Sequence, residues 1–233
     1  MNEKLKFRQF APKALFAVLS IALFIVLTKV KLTPIFGIDT QFTASVMFGP
    51  VISEFLGIGF GSGAIVLSQL FGVITGIYKI KSITSWLTFT PIIFAGIYFS
   101  KMFKGSKKLI LIPLSSIFLF LIHPIGREVW YYSFFWVIPV FIVALKPNLD
   151  KLFKNNLAQV YAYSIGSAFA DHSVGSILYL YSMNIPAEFW IQAIPFTLVE
   201  RAIIAAGITT SYFAIKIIIS IFQRVKMEET VYG

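Results

Sequence analysis

Residues 166–207 read GSAFADHSVGSILYLYSMNIPAEFWIQAIPFTLVERAIIAAG. Two apolar runs, Leu157–Ser182 and Phe189–Phe222, meet in this stretch, and each carries an ionisable pair in its middle: Asp171-His172 and Glu200-Arg201. Both runs reach the roughly 20 residues that cross a bilayer as a helix. Charged groups inside such runs are costly and mark solute paths, proton relays or paired sites. The stretch therefore predicts two transmembrane helices with the functional centre between them.

Spacing places the two pairs. Asp171 follows the aromatic Tyr161 by ten residues, and Glu200 follows Trp190 by ten. Ten helical residues rise about 15 Å, half of a hydrocarbon core roughly 30 Å thick. If Tyr161 and Trp190 mark opposite interfaces, antiparallel helices bring both pairs to one depth near the midplane. Thr197, one turn before Glu200 and Arg201, could bond to either, and Gln192 extends the polar stripe. Pro195 predicts a kink just before the charges. Two readings stay open: groups lining a solute cavity, or an ion pair of Arg201 with Asp171 or Glu200 that pins two helices.

Working outward, the whole chain has the same character. Hydrophobic residues make up 58% and charged residues 13%, with mean hydropathy +0.83. Soluble domains carry about 25% charged residues, so 233 residues of this composition predict an all-α, polytopic transmembrane helical bundle. Apolar segments delimit eight candidate spans: Ala14–Val30, Phe42–Ile58, Gly63–Tyr78, Ile83–Ser100, Leu109–His123, Trp130–Leu145, Leu157–Ser182 and Phe189–Phe222. Several fall short of a full crossing, so six to eight true spans are expected in one integral membrane domain, residues 1–233. The basic start followed by an apolar run resembles a signal peptide, but no small-x-small cleavage pattern follows. An uncleaved first span is expected.

The net charge of +10 is distributed by loop. With the N-terminus inside, Lys4, Lys6, Arg8, Lys13, Lys101, Lys104, Lys107, Lys108, Lys146, Lys151, Lys154, Arg224 and Lys226 fall on the cytoplasmic side. Lys29, Lys31, Lys79, Lys81 and Arg127 remain outside. This is the positive-inside pattern with both termini cytoplasmic, at the cell membrane. It accounts for the basic charge without nucleic acid.

Punctuation inside the spans adds expectations. Pro50, Pro91, Pro113, Pro139 and Pro195 each remove a backbone donor. Gly72 with Gly76, and Gly166 with Ala170, have the small-xxx-small spacing of close helix approach. Gly57 to Gly63 is expected as a glycine-rich turn joining the second and third spans. Outside the central stretch, His123, Arg127, Glu128 and Trp130 form a polar cluster, read as an interfacial loop or as the guard of an outer mouth. Glu54, just before the glycine run, is a buried acid of the cavity or a helix end. Asp39, Ser68 and Gln69 are weaker candidates.

Catalytic signatures are sparse. No phosphate-binding loop, HExxH zinc motif or GxSxG elbow occurs, and Gly59–Ala64 matches a dinucleotide fingerprint only loosely. Two histidines and no cysteine exclude thiolate and histidine-rich metal sites, so no cofactor is expected. Asp171, His172 and Ser173 are consecutive and diverge by about 100° each on a helix, which is wrong for a triad. An enzyme acting on lipid-linked or phosphate-bearing substrates is the rival reading.

The segment Phe42-Thr43-Ala44-Ser45-Val46-Met47-Phe48-Gly49-Pro50, the glycine run, and Leu67-Ser68-Gln69-Leu70-Phe71-Gly72 together resemble the early part of substrate-binding (S) components of energy-coupling factor transporters. The resemblance implies a small helical membrane subunit that captures a vitamin-like micronutrient. It further implies partnership with a transmembrane coupling subunit and cytoplasmic ATPases. Members usually have six spans and an Ala-xxx-Ala docking motif, whereas Ala14, Ala17 and Ala22 miss that spacing. A proton-coupled secondary transporter with Asp171, His172 and Glu200 as relay groups fits the same residues.

Overall fold

A computed structural model describes residues 3–34, 41–80, 83–154, 156–183 and 185–232; Asp39 and Lys81 lie outside them. Among the described residues the chain is helical apart from one short hairpin and the turns between helices. α1 (Glu3–Thr28) leads into β1 (Lys31–Pro34) and β2 (Gln41–Thr43), which pair antiparallel. α2 (Ser45–Leu56), α3 (Ile58–Ile74), the short α4 (Ile83–Leu87) and α5 (Pro91–Phe103) follow. A 3₁₀ turn (Lys107–Ile110) opens α6 (Leu111–Ile122). α7 (Pro124–Glu128) and a 3₁₀ segment (Trp130–Trp136) lead to α8 (Val137–Ala144) and α9 (Lys146–Phe153). α10 (Leu157–Ser182) and α11 (Ala187–Tyr232) complete the bundle.

The chain runs up and down between two ends. At one, Thr28 is hydrogen-bonded to Tyr78 and the hairpin lies near Glu200. At the other, Phe103 stacks on Tyr212, and Lys146, Asp150 and Gln159 come together. Among the described residues, two helices are long and apolar enough to cross a membrane, Ser85–Phe103 and Ala187–Ile221. A third results if Trp130–Ala144 and Lys146–Phe153, bent by 63°, are taken as one broken span. α10 spans the same 26 residues expected from sequence. It is less apolar because Ser164, Ser167, Ser173, Ser176, Gly166 and Gly175 face protein. Small residues let α5 approach α10: Ser167 donates to the Ala95 carbonyl, and a side chain at Gly166 would strike Tyr98.

Several local expectations change. The glycine run is not a loop: only Gly57, at φ 84°, turns the chain, and helix resumes at Ile58. Gly57 adopts a backbone that residues with a Cβ rarely reach. Gly72 and Gly76 do not pack a neighbouring helix. Gly72 makes room for the Tyr78 ring, and Gly76 (φ 74°) turns the chain after α3. Of the five prolines, Pro91 sits at the start of α5, and Pro113 and Pro139 lie in first turns, where the missing N–H costs no helical bond. Pro50 and Pro195 lie inside helices, and α11 continues through Pro195. The hairpin had no sequence expectation: its four- and three-residue strands are too short to show a period-2 pattern.

Candidate functional site

α10 and α11 pack side by side with Asp171 and Arg201 in register, and Arg201 Nη1 donates to Asp171 Oδ2 at 3.2 Å. Arg201 Nη2 donates to Glu200 Oε2 at 2.7 Å. One guanidinium is thus forked between two carboxylates, a geometry that suits its planar donors. Its remaining face is covered by the Phe42 ring, 4.4 Å from the guanidinium carbon. Arg201 is 0% exposed. The hairpin closes the cluster from above, where Thr33 Oγ1 donates to Glu200 Oε1.

His172 belongs to a different set of contacts. Trp136 Nε1–H donates to His172 Nδ1 at 3.1 Å. An indole nitrogen can only donate, so Nδ1 is bare and the ring proton sits on Nε2. Nε2–H then donates to Tyr132 Oη at 3.0 Å. Thr197 already donates to the Ala193 carbonyl at 2.9 Å, so Tyr132 O–H points to Thr197 Oγ1, 3.4 Å away. This one-directional chain fixes His172 as the neutral Nε2–H tautomer, because an imidazolium would aim a second N–H at the Trp136 donor. Both ring nitrogens of the His172 named as a relay group are thus engaged within the bundle. Thr197 likewise serves Tyr132 and not Glu200 or Arg201.

Next to both sets lies a cavity of about 510 Å³. Asp171, His172 and Glu200 line it, with Phe42, Gln69, Tyr179 and Trp190 among the other walls. Arg201 does not. The cavity runs from Asp171, at mid-helix, toward Ile185 and Phe189 beyond the end of α10. Eleven residues from Asp171 to Ser182 rise about 16 Å. Its walls also include Phe196, Val199 and Ile203 of α11, all exposed on the bundle's flank.

The other expected residues stand apart. Gln192 is exposed on the outer face of α11 and does not reach the cavity. Glu54 lies near the opposite end of the bundle, within electrostatic reach of Lys104 and Tyr212. His123 is half-buried with its ring edge-on to Tyr181, centroids 4.9 Å apart. Arg127, Glu128 and Trp130 are exposed, and Arg127 bonds only weakly to the Ile122 carbonyl at 3.4 Å. None of these four lines the cavity. Trp190 is no interfacial anchor: it is buried against Phe120 and Tyr132. Gln69, a weaker candidate, is 4% exposed and lines the cavity, donating to the Phe89 carbonyl at 3.2 Å. Ser68 donates to the Ala64 carbonyl, an ordinary helix contact.

Tyr132, Trp136 and Phe42 are the residues that sequence reading missed. The run Trp130–Trp136 holds six aromatic residues in seven, and that density was the available signal. Among the described residues, no group of three His, Cys, Asp or Glu side chains could hold a metal ion.

No family model and no solved structure matches the chain. Among curated proteins, an uncharacterised protein of Methanocaldococcus jannaschii is 28% identical over 114 residues, covering 46% of this chain. The chain spans only 38% of that relative's length.

Proposed function

We propose that this chain is an integral membrane protein that binds a small polar or charged solute in the cavity beside Asp171 and Glu200. It serves as the substrate-binding subunit of an uptake system. One observation carries the reading: the buried Asp171 and half-buried Glu200 carboxylates front a cavity of about 510 Å³, within the 300–1,000 Å³ range typical of small-molecule sites.

Embedding is supported by the bundle's flank, where Leu15, Phe60, Ile74, Phe118, Phe141 and Val199 are all at least 60% exposed. Such a continuous apolar surface suits lipid and not water. Orientation is supported by the lysines. Lys101, Lys104, Lys107, Lys108, Lys146, Lys151 and Lys154 gather at the end away from the hairpin, and the positive-inside rule makes that end cytoplasmic. Eight helical passes then leave both termini inside, and the cavity occupies the outer half, where a solute would be captured.

The resemblance to energy-coupling factor S components supplies the partners in this reading: a transmembrane coupling subunit and cytoplasmic ATPases, with a vitamin-like solute. The enzyme alternative is not favoured, because His172 has both ring nitrogens committed to Tyr132 and Trp136.

The chain has no cysteine, so single cysteines report topology cleanly. A cysteine at Gln41 should react with an impermeant maleimide from outside intact cells, and one at Lys104 only after permeabilisation. The reverse pattern overturns the orientation. Native mass spectrometry of purified protein should detect a bound small molecule that Glu200→Gln releases; a ligand-free spectrum under gentle extraction counts against the cavity reading.

A further inference from the structure

The charged groups of the cavity are not equally accessible, and this selects a ligand class. Arg201 is sealed: each terminal nitrogen is spent on a carboxylate, Phe42 covers a face, and Nε is buried with no acceptor among the described residues. The carboxylates are not sealed. The side chains of Asp171 and Glu200 are 10% and 17% exposed and line the cavity. Glu200 Oε1 takes the Thr33 hydroxyl, whereas Asp171 Oδ1 has no partner among the described residues. A solute therefore meets acceptors and never the guanidinium.

The charge count points the same way. Among the described residues, two carboxylates around one guanidinium leave one negative charge uncompensated, and a buried uncompensated charge is costly. His172, held neutral by Trp136 and Tyr132, cannot supply the balance. Lys29, Lys31 and Lys79 at the same end are exposed and do not line the cavity. The remaining walls include the rings of Phe42, Tyr78, Phe89, Tyr179 and Trp190, and aromatic faces attract cations.

We infer that the solute is an organic cation: an ammonium or amidinium group that docks against Asp171 and Glu200, carried on an apolar or aromatic body that fills the ring-lined part of the cavity. This inference rests on the reading of the cavity as a solute site. Arg201 is then a positioning residue that fixes the two carboxylates, not an anion receptor.

The test is isothermal titration of purified protein in neutral-lipid nanodiscs with probes sharing one body: phenethylamine, phenethyl alcohol and phenylpropionate. A lipid-length alkylamine is added to distinguish a bilayer-derived amine from a water-soluble one. The amines should bind at least tenfold tighter than the alcohol, and the carboxylate weakest. Asp171→Asn should bring phenethylamine down to the level of the alcohol, with an unchanged circular dichroism spectrum and cooperative thermal unfolding as proof of an intact fold. Should Asp171→Asn misfold, Glu200→Gln keeps the Arg201–Asp171 pair and carries the same expectation. Equal or tighter binding of the carboxylate overturns the cation inference but leaves the cavity reading standing. So does an amine preference that survives both substitutions. Failure of every probe to bind overturns both. Preference for the alkylamine over phenethylamine assigns the solute to the bilayer, and the opposite order assigns it to water; either order upholds the cation.

Discussion

The bundle holds two polar clusters, one buried at mid-height and one partly exposed at the lysine-rich end, and they are built in opposite senses. In the first, the cation Arg201 is shared by two acids, Asp171 and Glu200. In the second, the acid Asp150 is shared by three donors: Lys146, Tyr163 and Gln159. In the second the carboxylate itself is satisfied by its three donors, and Lys146 also lies over the Tyr163 ring at 5.5 Å, while the buried Gln159 Oε1 has no partner among the described residues. The first has an excess of acceptor directed at a cavity. A cluster that closes on itself joins helices; one with an excess can bind something.

The comparison can be broken most forcefully at Arg201. Arg201→Ala strands two buried carboxylates and should cost about 3–5 kcal/mol of stability, read by thermal or denaturant unfolding in detergent. Adding Asp171→Asn and Glu200→Gln should restore much of that loss. If the single variant is as stable as the parent, the carboxylates are not buried as described.

A smaller effect is expected where the hydrogen-bond chain is cut. Trp136→Phe leaves His172 Nδ1 without its donor and should cost about 1–3 kcal/mol. It should also give His172 a measurable titration by NMR that the parent lacks. A parent histidine that already titrates near neutrality would return His172 to the relay role.

At the lysine-rich end, Asp150→Asn should cost less than about 1 kcal/mol, because the Asp150 side chain is 36% exposed and exposed pairs are weak. Solute binding should not change. A loss of binding there would erase the contrast between the clusters.

The smallest effects are expected at Gln192→Leu and Arg127→Ala, both within about 0.5 kcal/mol, as for surface positions without special contacts. If Arg127→Ala abolished solute binding, the polar stretch from His123 to Trp130 would be the guard of the outer mouth after all.

Much of the long-range arrangement was legible. α10 begins and ends where its apolar run does, because Asn156 caps its N-terminus and Met183 leaves the helix in an extended backbone. The shared depth of Asp171 and Arg201 followed from a fixed rise per residue. The count from Trp190 succeeded even though Trp190 is buried in an aromatic cluster and marks no interface. Less legible were the breaks: Ser85–Phe103 reads as one candidate span, as expected, yet the helix is interrupted between α4 and α5, since Pro91 starts a helix more readily than it continues one. The polar stripe assumed for Gln192 failed because five residues to Thr197 and nine to Arg201 turn a helix by about 140° and about 180°, so α11 turns Gln192 outward while Thr197 and Arg201 turn in.

By itself, the sequence determined the helical class, the apolar segments and the axial height of each charge. These depend on hydrophobicity and on rise along one helix, which are local quantities. Only the tertiary structure decided that Arg201 is enclosed and Asp171 is open, that Trp136 locks His172, and that a hairpin lids Glu200. Those outcomes depend on how α10, α11, α2 and the Trp130–Trp136 segment are rotated about their axes, and packing between distant segments sets that rotation.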